Sequence, residues 1–192
     1  MTRRFRNSVA APLQTLTVLN RQTDRRVDLR LLRRIIRRLL QGLLEQERFD
    51  LGICLVSSRE ITRLNETFLH HKGRTDVITF DYSKPGGGGC SSIELHGELF
   101  VCVEVAVEQA REFRTTWPSE LMRYIIHGVL HLIGFHDSRP AERQRMKRQE
   151  ARLLAWVGRR YDLKKLRYTT PGGHAPREMS ACGVSRASRL EQ

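Results

Sequence analysis

The sequence lacks most of what would mark a membrane-anchored, disulfide-stapled or phosphate-loop protein. No stretch approaches the roughly 20 uninterrupted apolar residues of a membrane span. Its four cysteines, Cys54, Cys90, Cys102 and Cys182, form no C-x-x-C pair. That spacing signals neither a zinc knuckle nor a redox dithiol, and the four read as reduced thiols of a cytoplasmic protein. The glycine run in "SKPGGGGCSS" is followed by no Gly-Lys-Ser/Thr and opens no helix, so it is a flexible connection and not a phosphate cradle. No internal repeat is visible. The opening "MTRRFRNSVAAPLQ" is basic and acid-free, but its apolar run is too short for a secretory signal.

Acidic residues are the other shortage. Asp and Glu number 21 against 34 Lys and Arg, for a net charge of +13. A field of that sign attracts polyanions and steers them from a distance, and nucleic acid is the commonest such partner. The 192 residues suffice for one domain with a proper core.

The patterning predicts an order β-α-β-α-β-β-α-α-α. Residues 1–12 read as a disordered basic arm, and 13–20 alternate with period two, as a half-buried strand does. From 28 to about 48, Leu32, Ile35, Ile36, Leu39, Leu40, Leu43 and Leu44 recur at helical spacing, with Arg30, Arg33, Arg34, Arg37 and Arg38 opposite. Those arginines suit both a solvated face and an RNA platform. A short β-rich run at 51–57 leads into a capping box of Ser57 and Glu60, then a helix with Ile61, Leu64 and Phe68 on one face. Strands follow at 76–82 and 97–103, and a helix at about 104–114. Pro118 opens a helix apolar nearly all round, expected to be central and buried. Ser138 and Pro140 start a last helix to about residue 160, its inward side holding Met146, Leu153, Leu154 and Val157. Residues 161–192 have little apolar content and read as a largely disordered basic tail. The expected fold is α+β, a single domain over 13–160. Its four-stranded mixed sheet is packed with about five helices.

The chemistry concentrates in "HGVLHLIGFHD", residues 127–137. His127 and His131 are four apart, which places both rings on one helix face. Gly134 can adopt the positive φ that ends a helix. The chain then turns back, so a residue at 136 or 137 can reach the same ion. Three protein ligands with one position left for water is the catalytic zinc arrangement. Imidazoles in so apolar a helix need partners, because an unpaired buried polar ring is costly.

These residues resemble the H-G-x-L-H-L-x-G-[YF]-x-[HD] signature of the YbeY family, metal-dependent endoribonucleases of ribosomal RNA maturation. "LNETFLHHKGRTDVITFDY" (64–82) is similar to that family's second motif, and "GELFV", Met146 and Glu150 also match its pattern. The resemblance covers about residues 13–158. It implies a single-strand-specific endoribonuclease of the cytoplasm acting in rRNA maturation and ribosome quality control. Its implied partners are RNA and the small ribosomal subunit or its proteins, with no membrane. One divalent cation, zinc by the chemistry of the donors, would be held by His127, His131 and Asp137. His136 is the alternative third ligand, since many relatives end the signature Asp-His where this chain has His136-Asp137. The implied nucleophile is a water on the metal, lowered in pKa, with the ribose 2′-hydroxyl as an alternative.

Many relatives carry an arginine where this chain has Leu69. Either the nuclease activity is weaker than in those relatives, or the missing charge comes from His70, His71, Lys72 or Arg74. Of these, His71 and Arg74 are candidates to support catalysis, and His70 and Lys72, with Thr75 and Asp76, to bind substrate. Two rival readings remain. One is a ribosome-associated RNA-binding factor with a structural metal. The other is a zinc metallopeptidase, for which Gly128 is a poor fit because such enzymes place a glutamate general base there.

Overall fold

The computed structural model describes residues 14–83 and 95–167. The expected basic arm, most of the glycine-rich connection and the chain after Arg167 lie outside the described residues. The strands are β1 (Gln14–Asn20), β2 (Phe49–Val56), β3 (Val77–Asp81) and β4 (Leu95–Cys102). The helices are α1 (Leu29–Gly42), α2 (Ser58–Leu64), α3 (Val103–Glu112), α4 (Trp117–Leu132) and α5 (Pro140–Arg160). The sheet order is β1-β2-β4-β3, with β3 antiparallel to β4 and the other pairs parallel. This is the expected α+β fold with a four-stranded mixed sheet and five helices.

Side chains alternate across the sheet and so build two cores. Leu51, Ile53 and Leu55 of β2 with Leu95, Leu99 and Val101 of β4 join the larger one, under α1, α4 and α5. Cys54, Val56 and Cys102 point the other way, to a small cluster with Ile61 of α2 and Ile78 of β3. β2 is covered on both faces, which is why its run is nearly continuous in apolar residues.

Local chemistry sets the boundaries. Asp28 caps α1 by accepting from the Leu31 N–H at 2.9 Å. That helix ends at Gly42, short of the expected 48. The chain instead turns through Glu45 at positive φ, with Leu43 and Leu44 packed against the core from the turn. Ser57 caps α2 through the Glu60 N–H, but the Glu60 carboxylate takes the Arg21 guanidinium at 2.7 Å, so only half of the capping box forms. After Leu64 the helix widens into a π turn, Asn65–Leu69. The wider turn rotates Phe68 off the buried face, leaving it 58% exposed and edge-on to Phe80. Past α5 the chain stays on the fold. A 3-10 turn, Leu163–Leu166, buries Leu166 completely, and Arg167 pairs with Val27. The expected tail boundary at 161 therefore falls too early. Among the described residues, no helix is long and apolar enough to cross a membrane.

α4 is the buried helix. It lies close on the sheet because Gly128 carries no side chain: a β-carbon there would come 2.6 Å from Leu99 Cδ2 and 3.1 Å from Thr79 Oγ1. One turn on, Leu132 fills the space above Gly97, where a β-carbon would meet its Cδ2 at 2.6 Å. Small and large residues thus interlock along the contact and fix the helix in depth. Gly128→Ala is expected to cost about 1–3 kcal/mol of stability through overpacking. Urea unfolding of the two proteins measures it, and equal midpoints would mean that the helix does not sit this close.

Candidate metal centre

His127 and His131 project from the last turns of α4 on one face. Their Nε2 atoms lie 3.2 Å apart and their rings are nearly perpendicular. Each Nδ1 has its own partner: His127 Nδ1 is 3.2 Å from Glu150 Oε2, and His131 Nδ1 is 3.0 Å from the Phe135 carbonyl. Both partners are acceptors, so both Nδ1 atoms carry the proton. Nε2 is then the atom each ring offers to a ligand: in the neutral pair both lone pairs point at one place, and when His127 is protonated its Nε2–H donates to His131 Nε2 instead. A carboxylate on one imidazole and a backbone carbonyl on the other are the usual means of orienting metal-binding histidines.

The helix end creates the second of these contacts. Gly134 sits at φ +89°. Its N–H donates to the His131 carbonyl at 3.0 Å, and the Phe135 N–H donates to the Leu130 carbonyl at 2.9 Å. This is the Schellman arrangement, with glycine at the left-handed position. It turns the Phe135 carbonyl back onto His131 and carries Asp137 inward. Ligand atoms of His127, His131 and Asp137 all lie within 4.8 Å of one another, so the three residues form a possible metal site. Among the described residues this is the one such group, and it does not include the exposed His136.

Glu150 is the buried carboxylate that α5 aims at α4. Arg123, one turn before His127, donates to Glu150 at 3.0 Å and to Glu120 at 3.1 Å. Glu120 is itself buried and accepts from Thr115 at 2.6 Å. Burial alone would raise the Glu150 carboxyl, but the hydrogen bonds from His127 and Arg123 hold it below the ordinary carboxylate range. The hydrogen bond to Glu150 holds His127 above the usual imidazole value against its burial. His131 goes the other way, lowered by burial and by the charge of His127.

The cluster lies along a cleft of about 920 Å³. Arg74, Thr75 and Asp76 line it on one side, and Arg143, Met146 and Lys147 of α5 on another. Asp76 also accepts from the Val77 N–H at 2.9 Å, so it caps the start of β3 while facing the cleft. Arg74 is committed to Glu108 at 2.6 Å. His70, His71 and Lys72 are exposed and do not line the cleft, and neither does Leu69, 42% exposed at the end of the π turn. Arg123, Glu120, Arg143 and Lys147 were not expected at the site. A polar stripe of Glu120, Arg123 and His127 at helical spacing through an apolar segment was the readable signal for the first two. The α5 residues gave none.

An α+β fold with two histidines from a buried helix and an aspartate just past its end defines a His-x3-His-x5-Asp protein. The chain belongs to the YbeY family: the family model described as "Endoribonuclease YbeY" matches residues 17–158. A protein of that name from Bacteroides fragilis is 37% identical over 106 residues, 55% of this chain and 71% of the relative. One from Anaeromyxobacter sp. is 38% identical over 109 residues, 57% of this chain and 55% of that protein. A solution structure from Thermotoga maritima superposes with a TM-score of 0.58 at 25% identity, covering 83% of this chain and 100% of the other.

Replacing Glu150 with Gln removes the charged acceptor from His127 and keeps its shape. Divalent-cation affinity is expected to fall by about 10–100-fold, measured by competition with a chromophoric chelator while circular dichroism reports an unchanged fold. Undiminished affinity would show that Glu150 does not orient the ring.

Proposed function

We propose that this protein is a metal-dependent endoribonuclease that cuts single-stranded RNA in the cytoplasm, in ribosomal RNA maturation and ribosome quality control. The observation that carries the reading is the facing pair of Nε2 atoms with a carboxylate beside them, at the edge of an open cleft. Membership of a family whose relatives are named endoribonucleases supplies the substrate class. His127, His131 and Asp137 would hold the ion, and two imidazoles with one carboxylate suit zinc. Such an ion supplies Lewis acidity, which lowers the pKa of a water and offsets phosphate charge.

The chain's own residues supply the rest. Glu150 and the Phe135 carbonyl keep both Nδ1 atoms protonated, so Nε2 is the atom each ring offers to a cation. Arg143 and Lys147, one turn apart on α5, offer the cleft positive charge for a phosphate. Arg143 Nε is held by the Asp137 carbonyl at 3.1 Å, and Lys147 forms no ion pair among the described residues. These two stand in for the arginine that Leu69 replaces. Arg74, Thr75 and Asp76 across the cleft suit a substrate-binding wall. A peptidase reading lacks its general base, and position 128 faces Leu99 and Thr79, where no glutamate would fit.

Protein purified without a histidine tag should carry one divalent cation per chain by elemental analysis and should cut single-stranded RNA. His131→Ala and Asp137→Ala should both lose the metal and the cleavage, whereas His136→Ala should keep both. Cleavage of equal rate in a folded, repurified His131→Ala protein would refute the reading. Metal loss confined to His136→Ala would move the third ligand to that residue.

A further inference from the structure

A second cavity, of about 510 Å³, adjoins the first: Thr115 lines both. Its charge is of a different kind. The metal cleft is mixed, with Asp76, Glu108, Glu120, Asp137 and Glu150 among its walls. The second cavity has no carboxylate in its lining and four guanidinium groups, Arg25, Arg111, Arg114 and Arg167, beside the buried Trp117. Arg25 pairs with its neighbour Asp24 at 3.4 Å. The other three have no ion-pair partner among the described residues.

Three separate segments bring these arginines together, and each is held by the backbone. Buried Gln22 fixes the turn that carries Arg25, accepting from the Arg25 N–H at 2.9 Å and donating to its carbonyl at 2.7 Å. Arg167 is held by its pairing with Val27, beside the Asp28 N–H to Leu166 carbonyl bond at 2.9 Å. Arg111 and Arg114 stand at the end of α3. There the Thr115 N–H donates to the Ala110 carbonyl at 2.9 Å, which leaves Arg114 at φ +53°. That position usually belongs to glycine, and a side chain there is strained. Helix-end electrostatics favours cations at Arg111 and Arg114, but accounts for neither Arg25 nor Arg167. Four like charges around one cavity repel in the absence of an anion.

We infer that this arginine pocket holds backbone phosphate of the RNA strand whose adjoining segment lies in the metal cleft, with Thr115 marking the passage between the two. The inference rests on the nuclease reading for its substrate class. The guanidinium fork matches a phosphate's paired oxygens, and Thr115, in the wall of both cavities, is where one strand would pass from one to the other. The pocket reads charge and not sequence, so it sets affinity and register on any single strand.

The test is the full chain carrying Arg111→Gln and Arg114→Gly together, against wild type and an Arg148→Gln/Arg152→Gln control of equal charge change on the exposed face of α5. Binding of a fluorescein-labelled unstructured RNA oligonucleotide is followed by anisotropy over a salt series in EDTA, and cleavage is assayed separately with metal. The pocket variant should lose about 1.4 from the slope of log affinity against log salt, near 0.7 per phosphate contact on a single strand, and the control should lose little. Arg114→Gly alone should raise the melting temperature while weakening RNA binding, an opposition that a purely structural arginine would not give. Equal slopes in all three proteins would overturn the pocket and leave the nuclease reading to stand on wild-type cleavage. A wild type that binds through the pocket but does not cut retires only the nuclease reading. One that binds no RNA retires both.

Discussion

The site depends on two hydrogen bonds made at the far side of the imidazoles from where the chemistry lies. Glu150 holds His127 and the Phe135 carbonyl holds His131. Remove them and each ring is free to rotate and to choose its tautomer. With them in place, the two Nε2 atoms are held 3.2 Å apart and aimed at one place, as a chelate requires. The folding energy of α4, α5 and the Gly134 turn is thereby turned into ligand geometry. Glu150 faces both His127 and Arg123, and their hydrogen bonds offset the cost of burying its charge.

Much of this was legible in the sequence, and the reasons are local. Four-residue spacing on an apolar helix is enough to pair His127 with His131, and Gly134 announces the turn that carries Asp137 inward. Most strands and helices followed from periodicity because they bury one face, whereas β2 and α4, covered on more than one side, showed as nearly unbroken apolar runs. What could not be read depends on contacts between distant segments. Arg123 and Glu150 meet across 27 residues, and no spacing rule predicts which position of α5 will face which position of α4. Glu150 matched a pattern in the family, but the sequence did not say what it touches. The π turn at 65–69 and the attachment of residues 163–167 were missed for another reason: a widened turn and one buried leucine have no periodic signature.

The electrostatics also divide in a way that the total charge conceals. A net charge of +13 suggests a uniformly basic surface. In the described residues, the wall around the histidines is nearly balanced, while guanidinium groups without carboxylates gather on the other side of Thr115. Balance near the ligands keeps the local field from opposing a bound cation. The excess of positive charge is placed where it does not compete.

The pairing of Val27 with Arg167 joins residues 140 positions apart in the chain and seats Leu166 in the main core. Leu166 and Arg167 follow α5 in the chain, so this corner is closed by the last of the described residues to be synthesised. During synthesis, the strands and the histidine-bearing helix can collapse well before α1 receives this final seal. A nascent chain that ends within α5 therefore lacks the residues that cover the apolar start of α1.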